Sequence, residues 1–166
     1  MTDVTQLILD DHETFRSRFA ELDDLRADAT RAGPVWDALA RLLEVHASAE
    51  EEHFYPALLQ HVKGSEDETK DAIGDHDDIR AGIRKTADAE VGSDDWWQGI
   101  EEVREANDEH MQEEEHDGLP DFRRAASAEL RDEVGARFER FKADHAALQG
   151  LSGEDKDPDR FVRENR

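Results

Sequence analysis

The chain has 166 residues, enough for one domain with its own core, and it carries 44 acidic against 21 basic residues for a formal net charge of -23. That excess repels phosphate backbones and anionic membrane surfaces, so neither nucleic acid nor membrane is an expected partner; the shortage of lysine beside arginine suits a protein soluble in concentrated salt. There is no cysteine, which excludes disulfides, thiolate metal sites and cysteine nucleophiles and leaves nitrogen and oxygen donors for any metal.

The first residues lack a basic stretch followed by an apolar one, and no run approaches the roughly 18 apolar residues of a membrane span, so a soluble, cytoplasmic protein is expected. Phe15, Phe19, Leu22 and Leu25 recur at helical spacing and predict a helix over 3–28. Trp36, Leu39, Leu42 and Leu43 predict a second over 34–62, with Gly33-Pro34 read as its start. Gly64-Ser65 and Gly92-Ser93 combine a stop with a cap and delimit helices over 66–91 and 94–117, Ser65 with Glu68 fitting a capping box. Gly74, Gly82 and Gly99 count against these helices. A fifth helix over 125–149, with Val134, Phe138, Phe141 and Leu148, either closes the bundle or pairs with a second copy. The fold class is all-α: an antiparallel up-down four-helix bundle with an additional C-terminal helix, residues 1–150 forming the domain and 151–166 a disordered polar tail.

An internal repeat carries the most information. Asp11-His12-x-x-Phe15-Arg16-x-x-Phe19 returns as Asp75-His76-x-x-Ile79-Arg80-x-x-Ile83, and His46-x3-Glu50 before Pro56 returns as His110-x3-Glu114 before Pro120. Every pair is offset by 64 residues, which reads as a duplicated helical hairpin. Residues of antiparallel helices share a level when they are equally far from the joining turn. The midpoints of Glu50/His76, His76/His110 and His12/His46 fall at residues 63, 93 and 29, at or beside the expected breaks. His12, His46, Glu50, His76, His110 and Glu114 therefore converge, and the i,i+4 spacing puts each histidine and glutamate of the second and fourth helices on one face.

Imidazole suits iron, zinc or copper, and a carboxylate can bridge two cations roughly 3.5 to 4 Å apart. One bridging glutamate from each half would give each of two metals two histidines and two shared carboxylates. A lone histidine on a helix is ordinarily a surface or core residue; the duplicated set at one offset is what favours a site. His61 and His145 have no repeat counterpart and are expected to be exposed. His53 and His116 pair with Asp117 and Glu52 in the repeat and are weaker ligand candidates. Trp36, Trp96, Trp97 and Tyr55 read as packing residues with no role in the site. Of Glu50-Glu51-Glu52 and Glu113-Glu114-Glu115 only one glutamate each is expected to point inward. A ferritin-like register through Glu50-x2-His53 and Glu113-x2-His116 is the competing arrangement, weakened by its offset of 63.

Over about residues 8–122 these motifs resemble the hemerythrin and HHE cation-binding family, whose members repeat a histidine helix followed by a His-x3-Glu helix. The resemblance implies the same six ligands and two non-haem iron ions, joined by an oxo or hydroxo bridge. Respiratory hemerythrins place a second histidine four positions after that of the third helix and end on His-x4-Asp; here those features are Arg80 and His-x3-Glu. The even division of histidines leaves a position open on both metals, which resembles members linked to iron or oxygen sensing, peroxide handling and nitric oxide stress rather than oxygen carriers. The expected partner is a small diatomic ligand or peroxide. A sensor or buffer, and a di-iron redox enzyme that decomposes peroxide or oxidises ferrous iron, both fit the pattern.

Overall fold

A computed structural model of the protein describes residues 2–166 and contains helices but no strand among them. In chain order these are α1 (Val4–Asp24), α2 (Ala29–Ala49), a π-helical turn (Glu50–Phe54), α3 (Tyr55–His61), α4 (Glu66–Ala87), α5 (Asp94–Glu113), a second π-helical turn (Glu114–Gly118), α6 (Leu119–Ala125), α7 (Ala128–Asp144) and α8 (Pro158–Asn165). Because each π turn joins its neighbours without a break, 29–61 and 94–125 are two continuous helical rods. With α1 and α4 they form a helical bundle, on which α7 and α8 lie.

Local chemistry sets most boundaries. The Asp3 carboxylate accepts from Thr5 N at 2.9 Å, Asp28 from Arg31 N at 3.2 Å, and Ser93 from Trp96 N at 3.2 Å, each satisfying an amide that helix geometry leaves free. The Asp28 cap moves the start of the second rod to Ala29, so Pro34 lies inside the helix rather than opening it. Ser65 precedes α4 without capping it; its hydroxyl donates instead to Val62 O at 2.8 Å, and the capping box with Glu68 is not formed. Gly64 and Gly92 both take φ near +86°, the left-handed conformation that ends a helix with least strain.

Proline explains the π turns. In an α-helix Pro56 and Pro120 would each lack a donor and would press on the carbonyl four residues back. Widening the preceding turn by one residue absorbs that conflict: Tyr55 N donates to Glu50 O, and Leu119 N to Glu114 O, the longer bond of a π turn. The fourth rod therefore does not stop at 117 but continues to Ala125. Both wide turns begin on a glutamate of the expected cluster.

The core divides into two apolar blocks. Val4, Ile8, Phe54, Leu58, Ile73, Phe122 and Phe138 belong to one, and Phe15, Phe19, Trp36, Leu39, Trp96 and Val103 to the other. His12, His46, His76 and His110 are all buried and occur in the chain between residues of the two blocks, so a polar layer separates them. The glycines that count against α4 and α5 in the sequence permit their close approach: a Cβ on Gly82 would lie 2.5 Å from Val103 Cγ2, and one on Gly99 2.7 Å from Thr86 Cγ2.

The fifth predicted helix is present as α7, shorter than expected, and it packs along α1 and α2 and over the first π turn with Val134 and Phe138 inside the core. The tail expected to be disordered is instead tied down. Asp157 accepts from Arg160 N at 2.7 Å ahead of Pro158, and the resulting α8 buries Phe161 and Val162 against the bundle beside α3 and α4. Polar composition hides this helix because only two adjacent apolar side chains are buried in it, with the Asp159–Lys70 ion pair at 2.8 Å beside them.

Candidate metal centre

α1, α2, α4 and α5 each supply one histidine to the polar layer, and the two π turns supply Glu50 and Glu114. His46 Nε2 lies 2.9 Å from Glu50 Oε1, His76 Nε2 3.1 Å from Glu50 Oε2, and His12 Nε2 3.2 Å from Glu114 Oε2. His110 Nε2 is 3.3 Å from His76 Nε2 and 3.7 Å from Glu114 Oε2. All six residues predicted from the sequence thus meet in one buried cluster. Their donor atoms form two overlapping groups, His12/His46/Glu50/Glu114 and Glu50/His76/His110, which share Glu50.

Among the described residues, His12 Nε2, His46 Nε2, Glu50 Oε1 and Glu114 Oε2 are buried without a hydrogen-bond partner; the short His46–Glu50 contact lacks hydrogen-bond alignment. Orphaned donors and acceptors of this kind are costly, and four of them facing one another fit a cation that would take up their lone pairs.

The outer nitrogens show how the rings are held. His12 Nδ1 donates to Glu115 Oε1 at 2.8 Å, His46 Nδ1 to Asp11 Oδ2 at 2.7 Å, and His76 Nδ1 to Glu51 Oε1 at 2.9 Å. His110 Nδ1 faces Asp75 Oδ2 at 3.7 Å, beyond hydrogen-bond reach. A carboxylate against Nδ1 keeps the proton there and turns the Nε2 lone pair inward, the usual support for a metal-binding imidazole. These four carboxylates are also related by the offset of 64, Asp11 to Asp75 and Glu51 to Glu115.

The duplicated Asp-His and Glu-Glu pairs were a signal that the one-inward-glutamate expectation passed over: Glu51 is buried as well as Glu50. Arg80 explains how Glu51 tolerates this, donating from Nη1 at 2.9 Å and Nη2 at 3.1 Å while its Nε reaches Glu44 at 3.0 Å. Arg16, its counterpart, donates to Glu115 at 2.7 Å. Tyr55 also departs from its expected packing role, since its hydroxyl donates to Glu114 Oε1 at 2.8 Å.

Burial disfavours every charge here, and the neighbours decide the outcome. Burial works against His46 as a cation, but the charge of the nearby Glu50 carboxylate and the bond to Asp11 raise it to about 9. The same histidines, led by His46, hold Glu50 well below the carboxylate range despite its burial. Against burial, His76 and then Arg80 do likewise for Glu51.

Two lysines from beyond α6 complete the surroundings. Lys142 on α7 pairs with Asp11, and Lys156, ahead of α8, pairs with Glu51 while its backbone N donates to Asp77 Oδ1 at 3.0 Å.

The weaker candidates stay outside. His53 is half-buried with its ring 5.5 Å from that of Phe141, and His116 and Glu113 are exposed, so the ferritin-like register is not assembled. His61 is exposed; His145, expected to be, is partly buried and donates to Gln149 O.

A helical bundle with a buried histidine and glutamate cluster shared between two duplicated hairpins defines a cation-binding helical protein. The description "Hemerythrin HHE cation binding domain" matches residues 3–122, and the chain belongs to that family. No curated protein and no solved structure matches it.

Proposed function

We propose that the protein is a non-haem di-iron protein that senses or handles iron, oxygen, peroxide or nitric oxide, built on an up-down four-helix bundle and working in the cytoplasm. The observation that carries the reading is the pair of donor groups sharing Glu50, with inward Nε2 atoms and carboxylate oxygens left without partners. His12 and His46 would hold one ion and His76 and His110 the other, with Glu50 and Glu114 common to both. Nitrogen and oxygen donors without sulfur suit iron among the transition metals that imidazole binds. When bound, two such ions supply redox chemistry and coordination positions for small ligands.

The chain's own residues do the rest. Asp11, Glu51 and Glu115 orient the rings of His46, His76 and His12, Tyr55 steadies Glu114 from the opposite oxygen, and the two apolar blocks keep bulk water away from both ends of the layer. A di-iron redox enzyme is the second reading, favoured by the cavity beside His110 and Glu114, which gives a small substrate a route inward.

Metal analysis with an absorption spectrum, on protein from iron-supplied cells, followed by a peroxide challenge, tests both. Two irons per chain with di-iron absorption, lost in Glu50→Ala, support the site. Spectral change without turnover supports the sensor, and turnover proportional to iron the enzyme. Zinc, or no metal, refutes the di-iron reading.

A further inference from the structure

The duplication makes the two faces of the cluster comparable position by position, and they differ sharply. On one face, a cavity of about 260 Å³ is lined by Glu68, Asp71, Glu113 and Asp117 and also by His110 and Glu114. Subtracting the offset of 64, the corresponding residues of the first half are Val4, Leu7, Ala49 and His53. Val4 and Ala49 are fully buried, Leu7 packs on the same core, and His53 stacks against Phe141 of α7. One half therefore fills this position with three apolar side chains and the His53 ring, packed against α7, while the other holds four carboxyl side chains around an opening.

Two further observations connect the opening to the cluster. Glu114 is 5 % exposed, lines the cavity, and has an Oε2 without a hydrogen-bond partner. Gly118 replaces the buried Phe54 of the first half, and a Cβ there would stand 2.4 Å from Glu68 Oε1 and 3.8 Å from Glu114 Cγ. The missing side chain is what lets the Glu68 carboxylate fold down beside Glu114 instead of capping α4.

We propose that this cleft is the port through which a divalent cation reaches the buried cluster, with Glu68 handing it on to Glu114. The proposal rests on the metal-binding reading above. The volume leaves room for several waters, so a cation can enter partly hydrated and exchange waters for carboxylate oxygens as it moves inward. Acidic side chains lining a recess with low-dielectric walls raise the local cation concentration, and such focusing speeds association by roughly 10 to 1,000-fold.

A port changes rates in both directions and leaves the end states alone, which separates it from a ligand. The test mixes the metal-free full chain with Co2+ and follows the absorption of the bound ion, then adds excess chelator and follows its loss. Glu68→Gln and Asp117→Asn should each slow loading and release by about tenfold, with the final Co2+ per chain unchanged. Gly118→Ala keeps every carboxylate yet displaces Glu68, and should slow both rates too. Asp95→Asn, an equal charge change at the exposed start of α5, should alter them little. Wild-type rates in the cleft variants, or a lower final Co2+ count, would overturn the port while leaving the metal site standing. A wild-type chain that takes up no Co2+ overturns the metal site and the port with it.

Discussion

Raising the pH should unfold the metal-free protein more easily, and the effect traces to one ring. His46 is buried, held between Glu50 and Asp11, and is raised from 6.5 to about 9. The folded state then keeps a proton that the unfolded chain has lost, so the stabilisation is fully present below pH 6.5 and disappears as pH rises through 9. The shift corresponds to about 3 kcal/mol at roughly 1.4 kcal/mol per unit. His110 is raised too, burial again opposing and Asp75 and Glu50 prevailing. Both draw on Glu50, so their contributions overlap, and about 3 kcal/mol serves for the cluster rather than for each ring. Urea unfolding of the stripped chain between pH 6.5 and 10 should show the midpoint falling by roughly 1 to 2 M. His46→Gln should remove most of that slope. A midpoint flat across the range would refute the protonated, carboxylate-clamped ring, and with it the account of why the cluster holds together before metal arrives.

Other outcomes follow from the same geometry. Glu50→Gln should deplete both donor groups and Glu114→Gln chiefly the one around His12, measured as metal retained after dialysis. Glu51→Ala should weaken metal binding by about 10 to 100-fold, as losses of such supporting carboxylates usually do, although Glu51 faces His76 only through Nδ1. Phe138→Ala, emptying a fully buried position 5.8 Å from the His46 ring, should cost about 3 to 5 kcal/mol by chemical denaturation.

The repeat made the six inward residues readable because a constant offset needs no structure to be seen, and helix levels follow from counting to the turns. The same offset relates Asp11 to Asp75 and Glu51 to Glu115, yet their place against the outer nitrogens was not legible. Which of three consecutive glutamates faces inward depends on the local pitch, and the π turn begun at Glu50 alters it. The helix predicted over 34–62 already runs through Pro56, whereas the one predicted over 94–117 stops short of Pro120, where a wide turn lets the rod continue to Ala125. Tyr55 was opaque for a different reason: its hydroxyl meets Glu114 across the bundle, 59 positions away. The tail failed on composition, since an Asp-Pro start and two apolar side chains outweigh a polar average.

The family match ends at residue 122, but the folding unit does not. Val134 and Phe138 share a core with Val4, Ile8 and Phe54, while Lys142 and Lys156 reach back to the carboxylates behind His46 and His76. A fragment cut at the inherited boundary would retain every cation-facing side chain and still expose the flank of α1 and leave Asp11 without its lysine. The contacts that hold the cation-facing side chains in place thus reach well past the segment that the family description covers.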